Sequence, residues 1–287
     1  MYETKRGIAC NGSIELAYEL TYPLEEAAVP QPALVFVGGW GEGGRTWGQE
    51  VAYFAPRYPT LTYDRRGLGA SSKPAHLQAY TVEQEITDLD AVLAAAGLEQ
   101  AKLWLVGHSY GGHLLISWLA AKSDNGSMQV QKMALATPTA RAVRDAETPF
   151  GCFTEVQQQT MMQDLLTGNY AGMVGYAREA IPEGGEATEP LRRAIGRLVP
   201  GVMSAETATW IFTHYYYLDL RPLLGRLNLP ILVISGELDP TMPPTAGADL
   251  VRRLPNARQV VLPQVGHLFH LTTAAALNRQ LEAFFEQ

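Results

Sequence analysis

Residues 103–113 read Leu-Trp-Leu-Val-Gly-His-Ser-Tyr-Gly-Gly-His, and they hold the first residues in the chain whose types and spacing could do chemistry. An apolar run enters Gly107-His108-Ser109-Tyr110-Gly111, and a second apolar run leaves it. This is the G-x-S-x-G pattern of a strand, a sharp turn and a helix, a nucleophile elbow that lifts its serine above a sheet. The glycines leave room for the neighbouring strand and helix. The helix N-terminus directs N–H groups toward a developing anion. A serine hydroxyl is a weak nucleophile near neutral pH and needs a base. The six histidines are His76, His108, His113, His214, His267 and His270. His108 and His113 flank the elbow, where the backbone does not easily present an imidazole to Ser109. His267 follows the last β-type run, in a loop that can reach back over the serine, and is the candidate base. His270 is the second choice, expected inside the closing helix. The base needs an acid to fix its tautomer. The run Ile231 to Gly236 ends in Glu237-Leu238-Asp239-Pro240. Asp239 is the favoured acid, with Pro240 stiffening its turn and Glu237 as the alternative. The run ending at Ala136 offers no carboxylate until Asp145. An oxyanion hole needs two backbone donors. Tyr110 N–H follows the nucleophile. The second is expected from Gly38-Gly39-Trp40-Gly41, with Trp40 N–H assigned and Gly39 next.

The elements that must position these residues are legible as short apolar runs spaced by helical patterns. Ala33–Val37, 60–64, 103–106, 132–136, 231–234 and 259–262 are β-type runs, as expected for a parallel sheet buried on both faces. Ile14, Leu16, Tyr18, Leu20 and Tyr22 alternate with period 2 and predict an antiparallel edge strand. Helices are predicted over 82–96, stopped by Gly97 and opened by Thr81 with Gln84, over 110–121, and over 274–285. Between 139 and 229 the β-type runs stop, Met, Tyr and Trp become frequent, and Pro182-Glu183-Gly184-Gly185 and Pro200-Gly201 interrupt the pattern. We read residues 1–138 and 230–287 as one core and 139–229 as a helical lid over the sheet's carboxyl edge, where open α/β sheets bind ligands.

Composition removes other classes. The 287-residue chain has a net charge of −7, against the clustered Lys and Arg that a nucleic-acid surface needs. No apolar run approaches the ~20 residues of a membrane span. The N-terminus lacks the apolar stretch of a signal peptide, so a cytoplasmic protein is expected. Two cysteines, Cys10 and Cys152, exclude a disulfide framework and a cysteine-rich zinc site. No metal or cofactor is expected, and the partner is a small-molecule substrate of a monomer or homodimer. Two nucleotide patterns compete for the glycine loop. Gly39 to Gly44 is a literal G-x-G-x-x-G, with Asp64 placed for a ribose, and Gly39 to Thr46 matches a phosphate loop with Arg for Lys. Trp40 and Glu42 would crowd and repel phosphate there.

The constellation resembles the α/β-hydrolase superfamily, in the lid-bearing branch of esterases, proline iminopeptidases and carbon–carbon bond hydrolases. The order Ser109, Asp239, His267 is similar to that family's order. Asp64-Arg65-Arg66-Gly67-Leu68-Gly69-Ala70-Ser71 resembles its D-x-R-G-x-G-x-S loop, and Gly266-His267 its histidine turn. The family usually has His-Gly after the first core strand, where this chain has Gly38-Gly39. The resemblance implies an α/β-hydrolase fold, a mostly parallel central sheet with helices on both faces and an inserted helical lid. It implies a serine hydrolase that works through an acyl-enzyme. The lid supplies Trp210, His214, Tyr215 and Met162 as candidate substrate contacts, with Met161 and Met173 nearby. They suggest a largely apolar or aromatic ester, lactone or related acyl compound. Arg141, Arg144 and Arg178 could meet a carboxylate. Because Gly38 replaces the usual histidine, a non-hydrolytic ligand-binding protein is the alternative.

Overall fold

In a computed structural model, residues 1–25, 30–122, 129–169, 180–182 and 203–287 are described. The strands are β1 Tyr2–Asn11, β2 Ile14–Pro23, β3 Ala33–Val37, β4 Thr60–Tyr63, β5 Lys102–His108, β6 Gln129–Ala136, β7 Ile231–Gly236 and β8 Ala257–Leu262. They form one eight-stranded sheet in the order β1-β2-β4-β3-β5-β6-β7-β8. The β1–β2 and β2–β4 pairs are antiparallel and the remaining pairs are parallel.

The inner strands are apolar at consecutive positions because both faces are covered. Val35, Val37, Leu103, Leu105, Met133, Leu135, Ile231 and Val233 pack on one face with Leu89, Val92, Leu93, Leu114 and Leu115. Their chain neighbours Leu34, Phe36, Trp104, Val106, Ala134, Ala136, Leu232 and Ile234 pack on the other, with Phe54, Leu277, Leu281 and Phe285. The period of 2 thus sorts each strand into two cores. The covering helices are α1 Gly48–Phe54, α2 Val82–Ala95, α3 Tyr110–Lys122, α7 Pro244–Arg253 and α9 Ala274–Phe285. Helix α2 opens on Thr81, whose side chain accepts from the Gln84 amide, and closes at Gly97, which takes φ 72°. Every residue of α3 from Tyr110 to Trp118 is buried, as its apolar sequence predicts.

One expectation needs correction. The alternating segment at Ile14–Pro23 is not the edge: β1 lies outside it, joined by a turn at Gly12 with φ 59°. Tyr2–Asn11 is mostly exposed and carries no hydrophobic alternation to reveal a strand.

Residues 137–230 connect β6 to β7 and contain α4 Glu155–Thr167, α5 Ala205–Tyr217 and α6 Arg221–Leu224 among the described residues. Leu165, Met203, Ile211, Phe212 and Tyr215 from this connection form a third apolar cluster with Leu68, Tyr80 and the first residue of α3, Tyr110. Among the described residues no helix is long and apolar enough to cross a membrane.

Candidate active site

Ser109 stands between the end of β5 and the start of α3 with φ 50°, a left-handed conformation that costs a β-carbon-bearing residue about 1–3 kcal/mol. The surrounding packing holds it there. Its N–H donates to Ala136 O of β6 at 2.9 Å. A β-carbon on Gly111 would lie 2.2 Å from Val37 O, and one on Gly107 would lie 2.6 Å from Gly112 Cα. Strand and helix therefore approach at backbone distance, and both positions require glycine. Tyr110 stands at the first position of α3, where an N–H has no intrahelical acceptor. Ser109 itself is 7% exposed.

The acid and the histidine come from the carboxyl ends of β7 and β8. Leu238 N donates to Val265 O at 2.9 Å, which joins the two turns. Asp239 Oδ1 accepts from the Thr241 and Met242 amides at 2.8 and 2.9 Å. Its Oδ2 lies 2.7 Å from His267 Nδ1, and both side chains are buried. Glu237, the alternative acid, is exposed and accepts from the Gln264 amide and side chain instead. His270 lies in a short separate helix, α8 Phe269–Thr272, rather than in the closing helix α9. Burial and the nearby His108 push its pKa down to about 3, so it is neutral. Neither of its ring nitrogens has a hydrogen-bond partner.

Beneath the elbow the structure assembles residues the sequence did not place together. His108 points away from solvent, with Nδ1 3.0 Å from Glu42 Oε2 and Nε2 2.9 Å from the carbonyl of His267. Burial opposes a charge on Glu42, but His108, His270 and the hydrogen bonds from His108 and Gly39 outweigh it and bring its pKa down to about 2. Burial likewise opposes a charged His108, and the Glu42 carboxylate raises its pKa above the ordinary value. The two form a buried ion pair. Gly38 makes room for it, since a β-carbon there would sit 2.9 Å from Glu42 Cβ. Glu42 Oε2 also accepts the Gly39 N–H at 2.6 Å. The Gly39 N–H is thereby engaged within the loop. Glu42, His108 and His270 are also the one set among the described residues with metal-ligand composition, their donor atoms lying within 4.8 Å of one another.

The same geometry counts against the nucleotide patterns. Gly44 N–H, which a phosphate loop would aim at its ligand, donates to Asp64 Oδ1 at 2.8 Å, and Asp64 Oδ2 accepts from Ala70 N at 2.9 Å. Asp64 ties two loops together and is not available to a ribose.

The sequence profile described as the alpha/beta hydrolase family matches residues 34–280. The chain belongs to the alpha/beta hydrolase family. It is 28% identical to 3-oxoadipate enol-lactonase 2 of Acinetobacter baylyi, over 90% of each chain. Among solved structures, a bromoperoxidase from Bacillus anthracis superposes with a TM-score of 0.83 at 23% identity, covering 99% of this chain and 100% of that one. The esterase EaEST from Exiguobacterium antarcticum gives 0.84 at 18% identity, covering 98% of each. At those identities the two structures speak for the fold. The family and the enzymes named among its relatives make this protein an α/β-hydrolase enzyme.

The hydrolase's inserted connection brings some of the expected substrate contacts to the site and not others. Tyr215 is buried with its ring edge-on to Tyr110 at 5.2 Å, and its hydroxyl lies 3.2 Å from Cys152 Sγ. Trp210 also packs against the third apolar cluster, and both it and His214 contact the segment before α2. Trp210 packs 5.8 Å from the Tyr80 ring, and His214 Nε2 contacts Leu77 O at 3.2 Å. Both contacts are with the 3-10 helix Leu77–Tyr80, against which α5 docks. Met162 lies half-buried in α4 against the third apolar cluster. Met173 and Arg178 lie outside the described residues. Trp40 was named only for its N–H, yet its ring meets Phe212 at 5.9 Å and its Nε1 donates to Ala208 O at 3.2 Å. The Ala180 carbonyl accepts from His267 N at 2.9 Å, so the connection also touches the histidine turn.

Proposed function

We propose that this hydrolase cleaves an apolar or aromatic small-molecule ester, lactone or related acyl compound, with Ser109 as nucleophile, His267 as base and Asp239 as its orienting acid. The observation that carries the reading is the buried 2.7 Å contact between Asp239 and His267 Nδ1, set beside a serine held at φ 50° on a nucleophile elbow. Asp239 fixes the tautomer with the proton on Nδ1, which leaves Nε2 to take the proton of Ser109 Oγ. The oxygen attacks the substrate carbonyl, and the tetrahedral oxyanion accepts from Tyr110 N–H and Trp40 N–H. Collapse expels the alcohol, which takes the proton back from His267. Water, deprotonated by the same histidine, then releases the acid and restores Ser109.

The substrate class rests on the apolar lining. Met203, Phe212 and Tyr215 share a cluster with Tyr110, and Trp40 and Trp210 pack against it, so the side chains around the proposed oxyanion donors are aromatic and thioether. We read residues 139–229 as the lid that carries this wall. The similarity to an enol-lactonase supports an ester or lactone carbonyl as the group attacked. The non-hydrolytic alternative rested on Gly38, and the Glu42 carboxylate that braces Gly39 in its place counts against it.

A fluorophosphonate probe and a p-nitrophenyl ester test the reading. Labelling at Ser109 and a burst of one p-nitrophenol per chain are expected, and Ser109→Ala should lose both while keeping its melting temperature. A wild-type protein with neither labelling nor burst would refute it.

A further inference from the structure

We propose that the buried Arg65–Glu85 pair is the positioning device of the oxyanion hole, holding the Trp40 and Tyr110 donors in one fixed frame. The proposal rests on the serine-hydrolase reading above.

Arg65 and Glu85 are each 1% exposed and meet at 2.7 Å. The pair reaches both segments that carry the donors. Arg65 Nη2 donates to Gly39 O at 2.7 Å. Tyr110 Oη donates to Glu85 Oε1 at 2.9 Å, and the Arg65 guanidinium lies 4.7 Å over the Tyr110 ring.

The Gly39 carbonyl and the Trp40 N–H belong to one peptide unit. That unit is planar and, with no cis bond among the described residues, trans. Fixing its oxygen on one side therefore fixes the direction of its N–H on the other. The preceding N–H, of Gly39, is held by Glu42. The Gly39 backbone is thus gripped by a cation at its carbonyl and an anion at its amide. A loop with five glycines between Gly38 and Gly44 has little stiffness of its own and needs such bracing. A charged donor on the carbonyl also polarises the peptide and strengthens its N–H as a donor, and charge-assisted bonds are the strong ones.

Stability alone is a poor account of this pair. Burying an ion pair costs desolvation that a hydrophobic replacement would avoid, and Arg65 Nε has no hydrogen-bond partner. The neighbouring Arg66–Asp88 pair provides the contrast. It is equally buried and bidentate, with contacts at 2.5 and 2.6 Å, but its further hydrogen bonds go to Ala79 O, Gln84 and Asn11. It holds the loop after β4 to α2 and contacts neither donor segment. Arg65 also stands at the unspecified position of the D-x-R-G-x-G-x-S pattern, so that pattern gives it no role.

Steady-state kinetics with a p-nitrophenyl ester, fluorophosphonate labelling rates and thermal melts, run on Arg65→Met, Arg65→Lys and Arg66→Met, separate the two roles. Arg65→Met should lose about 10²-fold in kcat and in labelling rate, with KM changed by less than about threefold, because oxyanion donors act in the transition state. Arg65→Lys should recover part of the loss. Arg66→Met should melt lower yet keep kcat per titrated active site. If Arg65→Met does not fold, Glu85→Gln and Tyr110→Phe keep the packing while cutting the frame, and each should slow labelling by about tenfold or less. The proposal is overturned if a folded Arg65→Met, or failing that both alternatives, labels at the wild-type rate, or if Arg65→Met loses no more kcat than Arg66→Met. Wild-type protein that the probe does not label would instead overturn the serine-hydrolase reading itself.

Discussion

Asp239 makes three contacts, and they divide between its oxygens. Oδ1 takes the Thr241 and Met242 amides, and Oδ2 takes His267 Nδ1. The backbone bonds fix the carboxylate before the histidine arrives, so the imidazole meets an acceptor of defined direction. In Asp239→Asn the backbone amides would still hold the side-chain oxygen, which turns an NH2 group toward Nδ1. The histidine would then adopt the other tautomer, with its lone pair facing the amide and no base at Nε2. We expect kcat to fall about 10⁴-fold with little change in melting temperature, because the geometry survives while the protonation pattern inverts. Steady-state kinetics together with a melt tests this, and a loss under about tenfold would remove Asp239 from the mechanism. The contacts of Glu237 with Gln264 give the matching expectation that Glu237→Gln stays active.

At the scale of elements, the proposed nucleophile depends on how closely α3 approaches the sheet. The position of Gly111 against Val37 O makes Gly111→Ala a test of that approach. The added methyl cannot rotate away from backbone, so α3 must retreat from β3 and take Tyr110 N–H with it. Both the melting temperature and the labelling rate at Ser109 should drop, the first by several degrees. Unchanged values in both would show that the elbow has slack. The helix and strand on either side of Ser109 were legible in the sequence because continuous apolar runs and paired glycines leave few alternatives. The inner strands β3 to β7 were legible from their continuous apolar runs. Strand β1 was not, because a mostly exposed edge strand needs no hydrophobic alternation. Neither was the Glu42–His108 pair. Glu42 lies in the loop after β3 and His108 ends β5, positions that become neighbours only when those strands pair, and no periodicity along the chain reports such a contact. The glycine loop was open to nucleotide readings until Asp64 was seen to occupy the Gly44 N–H. Nor was the docking of α5 legible: Trp210 meets the Tyr80 ring and His214 meets Leu77 O, contacts between segments far apart in the chain.

For the molecule as a whole, buried titratable groups set how stability varies with pH. His270 and His113 are buried and neutral, with pKa values lowered to about 3 and about 4, in both cases chiefly by burial. Their unfolded forms take up protons near pH 6.5, so the stability they allow is complete above that pH and is lost as pH falls through their folded values. Glu42, lowered to about 2, adds stability above its ordinary value that is lost as pH falls further. On the alkaline side the sign reverses. Glu50 is fully buried, neither carboxyl oxygen has a hydrogen-bond partner, and burial raises its pKa to about 8. The folded protein keeps that proton while the unfolded chain releases it near pH 4.5, so stability is complete below that pH and is lost as pH rises through about 8. His108, raised by Glu42, acts in the same direction. The fold should therefore be most stable between these limbs, with Glu50 and His108 both contributing to the alkaline one. Glu50→Gln keeps the shape and removes the proton. The fall in melting temperature between pH 5.5 and pH 8.5 should shrink by several degrees in that variant, and the acid limb below pH 5 should stay where it is. An alkaline limb as steep as in the wild type would mean that Glu50 ionises in the folded protein, with water or a shifted His108 supplying the stabilisation that its present surroundings lack.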